Sequence, residues 1–340
     1  MKTIVLCGGG TAGHVLPNLA LLPYLKDFKV VYIGMKGGIE EELSKKHNVE
    51  FYPIDVVKFS RTNLLENVKI PFLLPKCVKR CEELLKKIKP NVVLSKGGYA
   101  SLPVTFACKK LAIPYAIHES DYTMGLANKL AKRHARIVMT NFPNTFNGKN
   151  ALCVGIPLRQ ELFSNKSSHN ILKALSLPPR RTILVMGGSL GATSLNKFVL
   201  SILDELTKQY NVVHLTGKGK DVTIDNPYYL SIPYADNMGE LYKCSDVVIS
   251  RAGATSIAEI KTLNKKAILL PLSKKASRGD QIKNANAVKC ATIRVFYEEN
   301  LDKTAFLSAI SELMRTKVSD TKNRGVSSKS IVDVLHKISL

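Results

Sequence analysis

The chain has 340 residues, 45% hydrophobic and 23% charged, which is a globular composition, too apolar for a disordered chain and long enough for two α/β domains. No uncharged apolar run approaches the ~20 residues that cross a bilayer, and the seven scattered cysteines, never spaced C-x-x-C, indicate neither a disulfide framework nor a zinc site. A formal charge of +23 calls for anionic partners such as phosphates or acidic headgroups, and with the excess shared by both halves and no basic tail, nucleic acid is not expected.

The first predicted strand lies within Thr3–Cys7. It is too short for a signal-peptide core and runs straight into glycines, so the chain is expected to be made in the cytosol and to stay there. Gly8-Gly9-Gly10-Thr11-Ala12-Gly13-His14 then opens a helix. Glycines permit a tight turn and close backbone approach, and the free N–H groups of a helix N-terminus favour an anion. The loop formally contains G-x-G-x-x-G, but a dinucleotide site also needs an acid at the end of the second strand. The strand around Val30–Ile33 runs on through Gly34-Met35 and offers none before Glu40, so dinucleotide binding is set aside. His14 is either a helix-terminal histidine tied to backbone or, kept neutral by the dipole beside a phosphate site, a general base.

Between Arg61 and Lys89, Leu64, Leu65, Val68, Ile70, Phe72, Leu73 and Leu74 interleave with Lys69, Lys76, Lys79 and Arg80. Pro71 and Pro75 are expected to break any long helix there. Many of these leucines suit a buried helix pair; an exposed apolar patch ringed by basic residues suits an anionic membrane face, which Lys129, Lys132, Arg133 and Arg136 would extend. Asn91–Ser101 (NVVLSKGGYAS) brings a strand and Gly97-Gly98. The strand Pro114–Ile117 leads to His118-Glu119, either a solvated pair or a pair at a ligand-binding edge, and Ile137–Met139 is a further strand. A hinge is expected around Gly155–Pro157, followed by the polar stretch Ser164–Asn170.

In the second half, Thr182–Ala192 (TILVMGGSLGA) is another strand and glycine turn, with Ser189 offering a hydroxyl to a phosphate oxygen. Val212–Leu215, Ala267–Leu270 and Thr292–Val295 are expected strands. Asp246–Ser256 (DVVISRAGATS) leads into a helix whose second turn carries Glu259, either an acid compensating the dipole or a partner for ribose hydroxyls. Arg278-Gly279-Asp280-Gln281, with Asn284, follows a strand, and the Gln281 amide suits sugar hydroxyls. Ser327–Leu340 has the apolar spacing of a terminal helix.

TIVLCGGGTAG pairs with TILVMGGSLGA and NVVLSKGGYAS with DVVISRAGATS, in the same order in each half. The expected fold class is therefore α/β, as two Rossmann-like domains with parallel sheets facing a cleft. Residues 1–155 would form one domain and 156–326 the other, with a helix over 327–340 packing back on the first. No Asp-x-Asp, G-x-x-x-x-G-K-[ST] or H-E-x-x-H occurs, so neither a metal nor a cofactor is expected.

With GGGTAGH, SKGGYAS, HES followed by GLANK, GIPLR, GGSLGA, SRAGATSIAE and RGDQIKNA in order, the chain resembles the MurG family over nearly its whole length. This family of N-acetylglucosaminyltransferases completes lipid II in bacterial cell-wall synthesis. The resemblance implies a GT-B fold at the cytoplasmic face of the membrane and an inverting transfer of N-acetylglucosamine from UDP-GlcNAc to an undecaprenyl-diphospho-muramoyl-pentapeptide. It gives the donor to Thr11, Ala12, Gly13, Arg159, Ser189, Ala235, Ala254, Thr255, Glu259 and Gln281. It gives the acceptor diphosphate to Gly9, Gly10, Gly97, Gly98 and Asn128, and the anionic inner-membrane surface to Leu65, Lys69, Ile70, Phe72, Leu73, Lys76, Lys79 and Arg80. His14 would take the proton, with Glu119 orienting it or serving as the alternative base. Two departures from the family pattern are Ala12, where a glycine is usual, and Ser120-Asp121 after His118-Glu119. Alternatives within the fold are a glycolipid synthase and a UDP-GlcNAc 2-epimerase.

Overall fold

Uninterrupted apolar strands set the architecture. In the computed structural model, which describes residues 1–56, 68, 70–163, 167–188, 192–235, 237–274, 279–318 and 328–339, the chain divides into two units. One comprises residues 1–158 and 326–340, the other residues 159–325. Leu64, Leu65, Lys69, Ser189, Arg278 and Ser327 lie outside the described residues, and the side chains of Ala12 and Ile70 are likewise not described.

The first unit runs β1 (Lys2–Cys7), α1 (Ala12–Leu19), β2 (Phe28–Met35), α2 (Ile39–Lys46), β3 (Glu50–Ile54), α3 (Ile70–Ile88), β4 (Val92–Ser95), α4 (Ser101–Lys110), β5 (Tyr115–Glu119), α5 (Leu126–Ala131), β6 (Ile137–Thr140) and β7 (Ala151–Cys153). Its seven strands are all parallel, in the order β3-β2-β1-β4-β5-β6-β7. Ile4, Val5, Leu6 and Cys7 are all fully buried because helices cover both faces of the sheet. Val5 and Cys7 pack with Val78, Cys81 and Leu85 of α3 and with Val104 and Ala107 of α4. Ile4 and Leu6, pointing the other way, pack with Val15 and Leu19 of α1.

The second unit runs α6 (Ser168–Ala174), β8 (Thr182–Met186), α7 (Thr193–Leu200), α8 (Leu203–Thr207), β9 (Asn211–Leu215), β10 (Tyr229–Ile232), α9 (Met238–Cys244), β11 (Val247–Ser250), α10 (Ala254–Thr262), β12 (Lys266–Leu269), α11 (Asp280–Val288), β13 (Ile293–Val295) and α12 (Lys303–Arg315). Its six strands are again all parallel, ordered β10-β9-β8-β11-β12-β13. Leu195 and Val199 of α7 and Phe306, Ile310 and Leu313 of α12 join Ile183, Val185 and Ile249 of the sheet in one core. The last helix, α13 (Ser328–Ile338), belongs to the first unit, where Ile331, Val332 and Leu335 are buried beside Ile4 and Val92.

The expected α/β class of two Rossmann-like units is thus present, as are the six strands expected between the repeat landmarks. Three strands carried no sequence signal: β3, β7 and β10. Each lies at the edge of its sheet and is largely half-buried or exposed; β7 spans only three residues, and β3 and β10 are interrupted by Pro53 and Ser231. The proline expectation is corrected. Pro71 and Pro75 do not break the helix, because α3 runs from Ile70 to Ile88 through both. Pro71 sits in the first turn, where backbone N–H groups have no helical partner anyway, and Pro75 removes one hydrogen bond near the same end.

Candidate active site

In each sheet the order reverses direction between two strands, β1 and β4 in the first unit and β8 and β11 in the second. The loops after these strands diverge there, the usual place for a ligand in an open α/β sheet. The four loops are those of the sequence repeat.

In the first unit, Gly8 (φ 145°) and Gly10 (φ 89°) turn the chain from β1 into α1. Gly97 (φ 81°) and Gly98 (φ 85°) do the same after β4. The two loops touch: a Cβ on Gly98 would collide with the Gly9 carbonyl oxygen, and one on Gly97 would press on the Asn128 amide. Gly9, Gly10, Gly97, Gly98 and Asn128 are therefore brought together. Thr11 is exposed and forms the N-cap of α1; its hydroxyl lies 3.2 Å from His14 Nδ1, and its carbonyl accepts from the His14 N–H. Gly13 is exposed within the first turn and His14 is partly exposed.

Glu119 ends β5 with its carboxylate already occupied. Oε1 accepts from the Asp121 N–H (3.1 Å), while Oε2 accepts from the Gly125 N–H and Asn128 Nδ2, both at 2.9 Å. It braces the Asn128 side chain and the loop into α5. His118 points to the other face, where Nε2–H donates to the Gly155 carbonyl (2.7 Å), leaving Nδ1 to accept from the Lys96 ammonium. Lys96 also donates to Ser120 Oγ (2.8 Å). Burial pushes the Lys96 ammonium down to about 7 against the opposing charges of Glu119 and Asp121. Burial, followed by the Lys96 charge, lowers His118 well below the usual imidazole range and keeps it neutral.

Two side chains of this half were given no role from the sequence. Lys96 had a signal: it occupies the same place in the repeat as Arg251, one residue after a strand. Glu40 had none, because it reads as a surface acid in the first turn of α2. It is fully buried; Oε1 accepts from the Met35 N–H (2.9 Å) and Oε2 from the Gly10 N–H (3.4 Å), directly beneath Gly9. An acid does therefore reach the end of β2, but its oxygens hold the glycine loop.

In the second unit, β8 leads into Gly187 and Gly188 (φ 91°), and β11 into Arg251, Ala252 and Gly253. Gly253 caps α10 without a side-chain hydrogen bond, so the first-turn amides at Ala254 and Thr255 are suited to an anion. A pocket beside these loops is lined by Gly187, Thr193, Ser194, Lys197, Lys220 and Arg251. Arg251 is buried; its guanidinium meets Glu298 (2.6 Å), Ser194 Oγ (2.6 Å) and the Leu270 carbonyl (3.0 Å). Burial pushes Glu298 up, but hydrogen bonds from Ser194 and Arg251 outweigh it and hold the carboxyl below its ordinary range.

Glu259 is buried in α10, with Oε2 accepting from the Tyr242 hydroxyl (2.9 Å). Burial raises its pKa against the Tyr242 hydrogen bond and the charge of Arg159, which places Arg159 within electrostatic reach. Gln281 sits at the start of α11 with Oε1 accepting from the Leu272 N–H (3.0 Å), which leaves its Nε2 to donate. Ala235 is half-buried in the loop before α9. Among the described residues, no group of three or more His, Cys, Asp or Glu side chains is arranged to hold a metal.

Along α3, Phe72 is 74% exposed, Leu73 is half-buried, and Lys76, Lys79 and Arg80 are exposed. On α5, Leu126 and Leu130 are exposed beside Lys129. No described helix is long and apolar enough to cross a membrane.

Comparison with known proteins gives these loops a context. The model of the glycosyltransferase family 28 N-terminal domain matches residues 4–140, and that of the family 28 C-terminal domain matches residues 182–337. A UDP-N-acetylglucosamine–N-acetylmuramyl-(pentapeptide) pyrophosphoryl-undecaprenol N-acetylglucosamine transferase from Lachnospira eligens is 45% identical over 323 residues, which is 92% of this chain and 91% of that protein. Among solved structures, MurG of Acinetobacter baumannii matches with a TM-score of 0.76 at 24% identity, covering 99% of this chain and 100% of that one. The UDP-GlcNAc 2-epimerase of Methanocaldococcus jannaschii matches with a TM-score of 0.66 at 14% identity, covering 99% and 100%. The fold alone is thus common to transferases and an epimerase, and it is the sequence that separates them.

Proposed function

The chain belongs to glycosyltransferase family 28, and from that premise we propose that it transfers N-acetylglucosamine from UDP-GlcNAc to undecaprenyl-diphospho-muramoyl-pentapeptide, forming lipid II for peptidoglycan. The observation that carries the reading is 45% identity to a transferase of that name over 92% of the chain. Two separately built loop pairs, each suited to a diphosphate, fit a reaction in which donor and acceptor both carry one.

Residues 1–155, with the terminal helix, would serve the acceptor and the membrane, and residues 156–326 the donor. Gly9, Gly10, Gly97, Gly98 and Asn128 would receive the acceptor diphosphate. Glu259 and Arg159 would take the ribose side of the donor, Gln281 the sugar hydroxyls and the backbone near Ala235 the uracil. Ser189, Thr11, Ala12 and Gly13 and the first turn of α10 would hold the donor diphosphate. A sugar hydroxyl of the acceptor attacks the anomeric carbon; the new C–O bond forms as the bond to the diphosphate oxygen breaks, and UDP leaves with that electron pair. His14 accepts the hydroxyl proton, and the helix N-terminus at Ala254 stabilises the leaving charge. The three donors already on the Glu119 carboxylate suit it to bracing Asn128 rather than to taking a proton.

The lipid-linked acceptor and the exposed apolar and basic residues of α3 support peripheral binding at the cytoplasmic face of the membrane. Cell shape and division would then depend on the product. A single displacement inverts the anomeric centre, so proton NMR of the product formed from α-linked donor should show a β-linkage. An α-linkage would rule out direct attack.

A further inference from the structure

Tyr242 is a wholly buried phenol on α9, and Gly239 seats that helix so closely on the Glu161–Leu162 backbone that a Cβ there would collide. Its oxygen lies 2.9 Å from Glu259 Oε2 and 3.3 Å from Met186 Sδ, at the end of β8. A phenol has one proton, and a carboxylate is a far better acceptor than a thioether, so the proton goes to Glu259. Among the described residues Oε1 of Glu259 accepts no hydrogen bond. The carboxylate is therefore half-satisfied: one oxygen pinned, the other presented from a buried position. A vicinal diol supplies what is missing, two adjacent donors in a fixed geometry.

We propose that Tyr242 is a positioning residue that sets the selectivity for ribonucleotide over 2′-deoxyribonucleotide donors, by locking the Glu259 carboxylate in the plane from which it accepts from both ribose hydroxyls. This rests on the reading that Glu259 holds the ribose. A site built to hydrogen-bond a hydroxyl rejects the analogue that lacks it, provided its own polar groups cannot turn away to another partner. The Tyr242 hydroxyl prevents that turning. Among the described residues, the charged and titratable groups acting on Glu259 are Tyr242 and Arg159, both of which favour its ionised form against the opposing effect of burial. Burial first, then the charge of Glu259, raise the Tyr242 phenol well above its usual value, so it remains a donor across the working range.

The test compares UDP-GlcNAc with its 2′-deoxyuridine analogue as donors for the full-length wild type, Tyr242→Phe and Glu259→Gln. Tyr242→Phe is expected to raise KM for UDP-GlcNAc about tenfold with kcat nearly unchanged. It is also expected to shrink the ribo-to-deoxy ratio of kcat/KM and to move the acid limb of the pH profile to higher pH, since a stabiliser of the carboxylate is gone. Replacing Tyr242 with 3-fluorotyrosine, a stronger donor of almost the same shape, should move that limb the opposite way. Were Glu259→Gln to keep full ribo-to-deoxy discrimination, the ribose reading and the proposal would fall together. Loss of discrimination in Glu259→Gln, with the ratio and acid limb of Tyr242→Phe at wild-type values, would overturn the proposal alone. A Tyr242→Phe protein that loses only thermal stability, and whose fluorotyrosine counterpart leaves the limb unmoved, would reduce Tyr242 to a packing role.

Discussion

His14 owes its place to the turn before it. Gly8 and Gly10 occupy backbone regions that favour glycine, and the Thr11 hydroxyl then meets His14 Nδ1 at the third residue of α1. With His14 as the base, His14→Ala should lower kcat about 10²- to 10⁴-fold while UDP-GlcNAc affinity, read by calorimetry, stays within about twofold. Near-normal turnover would remove His14 from the chemistry. A second expectation concerns Arg251, a buried cation whose carboxylate partner is Glu298. Glu298→Gln leaves the guanidinium without its countercharge; as the Glu298 side chain is 24% exposed, the loss should be about 1–3 kcal/mol, less than for a fully buried pair. The sign with pH follows from the lowered folded-state pKa of Glu298. The stabilisation is fully present above the ordinary carboxylate pKa and fades as pH falls through the folded-state value. Thermal unfolding from pH 7 down to pH 3 should therefore show the wild type and variant converging in acid, and a gap independent of pH would contradict this.

At the scale of elements, the legible parts were those in which one physical demand acted alone. Strands buried on both faces spell out as TIVLC or DVVIS, and turns requiring left-handed backbone spell out as glycine, so the repeat exposed the central strands and all four loops. Edge strands such as β3 and β10 answer to solvent on one side and left no run to recognise. The prolines of α3 misled because their effect depends on distance from the helix start, which the sequence did not mark. Side-chain partnerships were the least legible: nothing in the spacing ties Glu40 to Gly10, or Tyr242 to Glu259, since the sheet brings each pair together. Two expectations belong here. Gly98→Ala forces a Cβ onto the Gly9 carbonyl and requires a left-handed residue (φ 85°) without glycine's freedom. It should raise the acceptor KM at least about tenfold with donor affinity intact, whereas an unchanged acceptor KM would detach the loop contact from acceptor binding. On α3, Phe72→Ser should weaken sedimentation with anionic vesicles while turnover of a short-chain acceptor in solution persists. Unaltered sedimentation would place membrane contact elsewhere.

For the molecule as a whole, the duplicated plan suits the proposed chemistry with two diphosphates. Each unit is a parallel sheet whose order reverses beside two small-residue loops, and each buries a basic side chain, Lys96 or Arg251, at the same point of the repeat. Among the described residues, the halves differ in how that group is satisfied: Arg251 has a carboxylate, whereas Lys96 has only the neutral His118 and Ser120 as hydrogen-bond partners. The net charge of +23 also suits the anionic ligands of the proposed reaction. The measurement that bears most directly on the function is transfer of labelled N-acetylglucosamine from UDP-GlcNAc, with a short-chain lipid-linked muramoyl-pentapeptide, a diacylglycerol or no acceptor supplied in parallel. A disaccharide product with the muramoyl acceptor alone, accompanied by stoichiometric UDP, is the expected result. Epimerised donor sugar without any acceptor, or transfer to diacylglycerol in place of the muramoyl lipid, would contradict it.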